Sequence, residues 1–292
     1  MQSDGYKIVQ LANGTCSVHA LAERETFHPV IGPVAEAEAL CVKQLRLRER
    51  VEKNPGEFVI WDVGLGAAAN VLTVLRETKD ISSEIRVISF DRTIAPLEFA
   101  VNHAEHLGYF SGYETSVRQL IENRRTEFAN GKQTVNWEFY LGDFPTLLAD
   151  LTASISQPTR ETQMLPPHAI LFDAFSPAKN PAMWTFPLFA HLFRLLDPNK
   201  PCAMPTYSRA TMLRVTLLLA GFLVGVGHAT GEKEETTIAA NRMELIEEPL
   251  GKKWLERVQN SKSAEPMMKP FYEQKPISQD SWQKLIAHAQ FQ

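Results

Sequence analysis

Trp61-Asp62-Val63-Gly64-Leu65-Gly66-Ala67-Ala68-Ala69-Asn70 is the stretch on which the fold turns. It joins the apolar run Phe58 to Val63, read as a strand, to a helical stretch from Ala67 to Glu77. Glycines at such a junction let the backbone turn sharply and approach a ligand closely. Outward from it, strands and helices alternate. Ile85 to Phe90, Val135 to Leu141, Ala169 to Phe172 and Cys202 to Thr206 are apolar or β-branched and read as strands. Between and after them, helices are expected over Ile94 to Leu107, Glu114 to Phe128, Pro145 to Leu151, Thr185 to Leu196 and Ser208 to Ala220, with a polar loop from Ser154 to Pro167. Phe222 to His228 and Glu235 to Ile246 read as two final strands joined through Gly227 to Gly231. The alternation implies an α/β fold with a mainly parallel sheet covered on both faces, ending in an antiparallel hairpin.

Before this core, Lys7 to Leu11, the turn signal Asn13-Gly14 and Thr15 to Ala20 suggest a hairpin. Gly32-Pro33 then opens a helix expected to run to Lys53, where Asn54-Pro55-Gly56 ends it. After the core, Glu247 to Gln292 is polar, with Pro249, Pro266, Pro270 and Pro276, and is expected to wrap the domain or stay partly mobile. The chain thus divides into an extension, 1–56, a core, 57–246, and a tail, 247–292.

The 292 residues carry a net charge of -4, which excludes a broadly basic nucleic-acid coat but leaves room for local patches. Such patches are Arg46, Arg48, Arg50 and Lys53, then Arg118, Arg124 and Arg125, then Lys252 and Lys253, each of which also reads as a solvated face. Cys16, Cys41 and Cys202 form no CxxC pair, and His103 and His106 have no further ligand placed near them by sequence, so no metal site is expected. Val215 to Val226 is too short to span a bilayer and contains Gly221 and Gly225. No membrane partner and a cytoplasmic location are expected.

A bare GxG is a weak signal, and Ala69 satisfies a dinucleotide G-x-G-x-x-G/A pattern only loosely. The acids decide for another cofactor. Asp62, two residues before Gly64, would repel a pyrophosphate but suits the cationic amino group of a methionine moiety. Asp91 ends the next strand, where a carboxylate accepts from ribose hydroxyls. Gly142-Asp143 ends the third, where an acid accepts from an adenine amino group. Each acid alone also reads as a turn residue or helix cap. Three at successive strand ends, where ligands of open α/β sheets bind, favour S-adenosylmethionine and a Rossmann-like S-adenosylmethionine-dependent methyltransferase fold.

The fourth strand end carries Asp173-Ala174-Phe175-Ser176-Pro177-Ala178-Lys179-Asn180-Pro181-Ala182-Met183-Trp184. Asp173 lies where a substrate would meet the cofactor's methyl group. There it can orient an amine and accept charge as an ammonium product forms, and Phe175 can wall a planar base or the sulfonium.

At this motif the chain resembles the methyltransferase portion of the tRNA-modification family MnmC. Glu25-Thr26-Phe27-His28-Pro29, Gly32, Glu36-Ala37 and the Asp62–Gly66 loop extend the resemblance over about Lys7 to Leu245. The resemblance implies S-adenosylmethionine-dependent methylation of a 5-aminomethyl group on the wobble uridine of certain tRNAs, giving 5-methylaminomethyl-(2-thio)uridine. It adds Glu25 and Asn70 to the expected cofactor-binding set of Asp62, Gly64, Gly66, Asp91, Gly142 and Asp143, with Asp173 and Phe175 catalytic. The bifunctional form carries a flavin-dependent oxidase domain, and no second glycine-rich dinucleotide loop follows residue 245 here. A stand-alone form without flavin is therefore expected. The family loop often reads E-x-G-F-G-T-G-x-N. Here Ala67-Ala68 replaces its Thr-Gly, and the second alanine needs a permissive backbone angle. The alternatives are a methyltransferase or aminopropyltransferase acting on a small-molecule amine, and a degenerate fold kept as a binding partner.

Overall fold

The computed structural model describes residues 5–154, 164–231 and 234–292. The chain gathers into two compact units, one of Met1–Asp143, Ala169–Asp173 and His228–Glu234, the other of Phe144–His168, Ala174–Gly227 and Glu235–Gln292.

The first unit begins with an antiparallel meander of β1 (Tyr6–Gln10), β2 (Cys16–Ala20) and β3 (Glu25–Thr26). The helix expected from Pro33 to Lys53 is broken. It consists of α1 (Pro33–Ala37), a π-helical stretch Glu38–Lys43, and α2 (Leu47–Lys53). The break is at Arg46, which takes a left-handed φ of 48° while Leu45 and Leu47 on either side are buried.

The core of the unit is β4 (Phe58–Val63), α3 (Ala69–Thr78), β5 (Ser83–Asp91), α4 (Ala95–Asn102), α5 (Ala104–Leu107), α6 (Glu114–Asn123), β6 (Arg125–Asn130), β7 (Gln133–Leu141) and β8 (Ala169–Phe172). Its strands lie in the order β8-β4-β5-β7-β6, parallel except for β6. Every residue of β4 is buried, as expected of a strand covered on both faces. The single helix expected over Glu114 to Phe128 is corrected to a helix and a strand. Arg124 adopts φ 61° and ends α6, and Arg125–Asn130 then turns back to pair antiparallel with β7. Gly131 closes that hairpin at φ 64°. The helix expected from Ile94 to Leu107 is likewise interrupted, at His103.

The second unit contains α7 (Phe144–Ala153), a 3₁₀ turn at Pro181–Trp184, α8 (Phe186–Leu195), β9 (Ala203–Thr206), α9 (Thr211–Ala220), β10 (Leu223–Gly227), β11 (Thr236–Ala240) and β12 (Glu248–Pro249). Antiparallel pairings set the order β12-β10-β11-β9. The last expected strand is shorter than read and ends at Ala240, before a 3₁₀ turn at Met243–Leu245. The polar loop expected over 154–167 lies mostly outside the described residues.

Of the two alternatives for the tail, the structure shows the packed one, within the second unit. It forms α10 (Lys252–Asn260) and α11 (Gln279–Ile286). Polar contacts help hold it. Glu235 meets both the buried Arg214 of α9 and Arg257 of α10. The Gln290 side chain accepts from Val224 N at 2.8 Å and donates to Val224 O at 2.7 Å and Leu250 O at 2.9 Å.

Candidate active site

The carboxyl ends of β8, β4, β5 and β7 lie side by side and carry most of the expected site residues. The strand ends are laced together. Asp173 N donates to Val63 O, Gly64 N to Phe90 O, and Gly142 N to Asp91 O, each at 2.9 Å. Left-handed glycines turn the loop after β4, with φ 92° at Gly64 and 50° at Gly66. Ala68, at the position of the family's third loop glycine, takes φ 60° and so adopts the angle its side chain disfavours. The Phe27 ring stands 3.2 Å from where a Cβ on Gly66 would sit, so a side chain at this left-handed position would press on that ring.

Asp62 is buried at 1% exposure and accepts from Ser89 Oγ at 2.8 Å, which accepts in turn from Trp137 Nε1 at 2.9 Å. Burial pushes its carboxyl up to about 7. The Ser89 hydrogen bond opposes that shift, and the neighbouring Asp173 and Asp91 add to it. Among the described residues no basic side chain forms an ion pair with Asp62. Asp91 accepts from Gly66 N at 3.0 Å through Oδ2 and from Thr93 N at 3.2 Å through Oδ1. Burial raises its carboxyl as well, and these backbone donors partly offset the rise. Gly142 and Asp143 are exposed at the end of β7, and a Cβ on Gly142 would meet nothing within 4 Å.

Asp173 follows β8 with 26% of its side chain exposed. Its Oδ2 accepts from Asn70 Nδ2 at 3.0 Å and lies 3.3 Å from His28 Nε2. Asn70, expected at the cofactor, is thus bonded to Asp173. Its amide is oriented by Cys41, whose thiol donates to Asn70 Oδ1 at 3.7 Å. His28 and Glu36 were not among the expected site residues, although both stand in the stretches that carry the family resemblance. His28 Nδ1 lies 3.2 Å from Glu36 Oε1. Glu25 opens β3, three residues before His28, and is half-buried. Phe175 belongs to the second unit, where its carbonyl accepts from Trp184 Nε1 at 2.7 Å and the Ala174 carbonyl from Tyr207 Oη at 3.0 Å.

A sheet of this order with a glycine loop and acids at adjacent strand ends defines a Rossmann-like fold of the S-adenosylmethionine-dependent methyltransferase class. A family model described as S-adenosyl-L-methionine-dependent methyltransferase matches residues 115–242. The chain is an S-adenosylmethionine-dependent methyltransferase, and S-adenosylmethionine is its cofactor. The resemblance read at Asp173–Trp184 is borne out. The chain is 23% identical over 225 residues to the "tRNA 5-methylaminomethyl-2-thiouridine biosynthesis bifunctional protein MnmC" of Campylobacter concisus, covering 77% of this chain and 34% of that protein. It is 27% identical over 242 residues to the protein of the same name from Pseudomonas savastanoi pv. phaseolicola, covering 76% and 33%. The chain therefore spans about a third of the length of the curated relatives it matches. The crystal structure of MNMC2 from Aquifex aeolicus shares the fold, with a TM-score of 0.68 at 21% identity over 98% of this chain and 86% of that one. A spermidine synthase bound to the transition-state analogue AdoDATO superposes with a TM-score of 0.50 at 12% identity, over 98% and 85%. Among the described residues no helix is long and apolar enough to cross a membrane.

Proposed function

We propose that this methyltransferase acts on the primary amine of a 5-aminomethyl group on the wobble uridine of tRNA, giving the 5-methylaminomethyl nucleoside, and that it works in the cytoplasm. The observation that carries the reading is Asp173. It is a partly exposed carboxylate at the end of β8, beside the strand ends that carry Asp62 and Asp91, and Asn70 and His28 hold it from one side. The names of the curated relatives supply the substrate class.

The residues suit the cofactor. A buried carboxylate without a basic partner among the described residues, Asp62, fits an incoming ammonium. Asp91, tied to the loop through Gly66, fits the ribose hydroxyls, and the open space at Gly142 with the exposed Asp143 fits the adenine edge. S-Adenosylmethionine supplies a methyl group on a positively charged sulfur. Asp173 accepts a hydrogen bond from the neutral substrate amine and aims its lone pair at that carbon. As the N–C bond forms and the C–S bond breaks, positive charge grows on nitrogen, and the carboxylate stabilises it. The ammonium product then loses a proton to Asp173 or to water.

The test is single-turnover methylation of tRNA bearing 5-aminomethyl-(2-thio)uridine, read by nucleoside mass spectrometry. The wild type should add one methyl group. Asp173→Ala should bind S-adenosylhomocysteine within a few-fold of wild type while its transfer rate falls by about 10²–10⁴, the range for a positioned acid–base group. Methylation of a small-molecule amine with no product on this tRNA would overturn the substrate assignment, and a near-normal rate in Asp173→Ala would overturn the role of Asp173.

A further inference from the structure

We propose that His28, held by Glu36, is a positioning residue for methyl transfer: a doubly protonated imidazole between two carboxylates, it fixes the orientation and the charge of Asp173. The inference rests on the reading of Asp173 as the group that receives the amine. Three separate parts of the chain supply the bridge: the turn after β3, the first turn of α1, and the residue after β8. Each ring nitrogen faces a carboxylate oxygen, Nδ1 toward Glu36 at 3.2 Å and Nε2 toward Asp173 at 3.3 Å. A neutral imidazole carries one N–H, so one ring lone pair would then point at a carboxylate. With both nitrogens protonated, both contacts become charge-assisted hydrogen bonds.

The side chain is 8% exposed, and that of Glu36 12%, so little water screens the bridge. His28 also sits at φ 49°, a left-handed angle that costs a residue with a side chain free energy and that the surrounding contacts must hold. Burial lowers the basicity of His28, but Asp173 and Glu36 more than offset this and push it up to about 9. Among the described residues, further titratable groups of this neighbourhood are Cys41, whose thiol is raised by burial and then by Asp173, Asp62 and Glu36, Asp62 itself, and Asp91 beside Asp62.

His28, Glu36 and Asp173 also offer ligand atoms within 4.8 Å of one another, a spacing that a metal ion could use. The pairing argues for a proton in that place. A metal ligand needs an imidazole lone pair turned to the ion, whereas here each nitrogen is directed at a carboxylate within hydrogen-bonding distance.

The bridge makes two demands on Asp173. With Asn70 on the same oxygen, it stops the carboxylate from rotating, and the adjacent positive charge keeps it ionised in a half-buried place where a second acid, Asp62, would favour its protonation.

The experiment uses the full chain with His28→Asn, His28→Gln and Glu36→Gln. The ring nitrogen shifts of His28 are followed by NMR between pH 6 and 10, and kcat and KM for tRNA are measured across pH. The wild-type ring should be doubly protonated at pH 7.5, and in Glu36→Gln it should titrate at lower pH. His28→Asn should bind S-adenosylhomocysteine within about threefold of wild type, lose about 10- to 100-fold in kcat with little change in KM, and have the acid limb of its profile moved to higher pH. His28→Gln, which can still donate to Asp173, should recover part of the rate. A neutral ring at pH 7.5, a variant that lowers only thermal stability with kcat and the profile unmoved, or a stoichiometric metal lost on replacing His28 would each overturn the proposal. If the wild type does not methylate tRNA, the substrate reading fails. The NMR titration of wild type and Glu36→Gln still decides whether the protonated bridge exists, even if the His28 variants do not fold.

Discussion

Cofactor affinity should depend on pH through one residue. In the free protein Asp62 is pushed up to about 7 by burial, so it is mostly neutral at pH 5.5. A cofactor ammonium favours the ionised carboxylate, so binding must first remove that proton below pH 7. With a value of about 7, the ionised fraction is about 3% at pH 5.5 and about 75% at pH 7.5. Affinity for S-adenosylhomocysteine should therefore rise by roughly 25-fold over this interval, or about 1.9 kcal/mol. The sign follows from a carboxyl that is raised in the free protein and lowered by the ligand: binding tightens with rising pH and levels off above pH 7. Isothermal titration calorimetry at pH 5.5, 6.5 and 7.5, each in two buffers of different ionisation enthalpy, measures both the slope and the proton. Close to one proton should be released per ligand at pH 5.5, falling toward a quarter at pH 7.5. Asp62→Asn should bind weakly at every pH, with the slope and the proton release gone. Equal slopes in wild type and Asp62→Asn would refute the assignment of the ammonium to Asp62 and pass the titration to another group.

Asp91→Ala should weaken S-adenosylhomocysteine binding by roughly ten- to a hundredfold, about 1.5–3 kcal/mol for a charge-assisted pair of hydrogen bonds; unchanged affinity by calorimetry would remove the ribose from Asp91. Gly131→Ala should cost about 2 kcal/mol or more in urea unfolding, because φ is 64° there and the new Cβ would lie 2.4 Å from Lys79 O, the acceptor of Lys132 N. A change under 0.5 kcal/mol would show that the β6–β7 turn shifts freely.

The sequence made the frame of the fold legible because its parallel strands are buried on both faces. Phe58–Trp61 and Ala169–Phe172 are unbroken apolar runs, and the acids that follow them, Asp62 and Asp173, are conspicuous. β6 was hidden for the opposite reason. Its buried positions are polar, Thr126 and Asn130, the latter donating to Leu75 O and Gln133 Oε1, so no period of two in hydrophobicity marks the strand. The break at Arg46 and the turn at Arg124 rest on left-handed angles at arginines, residues that give no such signal. Asp173 was found by motif. His28 was not, since its meaning comes from a left-handed turn that brings it to Glu36 and Asp173, and no spacing in the chain encodes that meeting. The prolines and polarity of the tail left its packing open, and α10 places Val258 in the interior.

Gln290 gives the second sheet a kind of ending that strands themselves cannot. Its primary amide presents one donor and one acceptor to Val224, the pair that a neighbouring backbone would offer, and reaches Leu250 O with its second hydrogen. The short strand β12 covers β10 at Gly225 and Val226, and Gln290 continues that cover at Val224. An uncovered β10 would be a template on which a strand of another molecule could add. A residue that reads in the sequence as one more surface glutamine thus occupies one backbone site at which such an addition could begin. Its replacement would show first in the protein's behaviour at high concentration or during refolding.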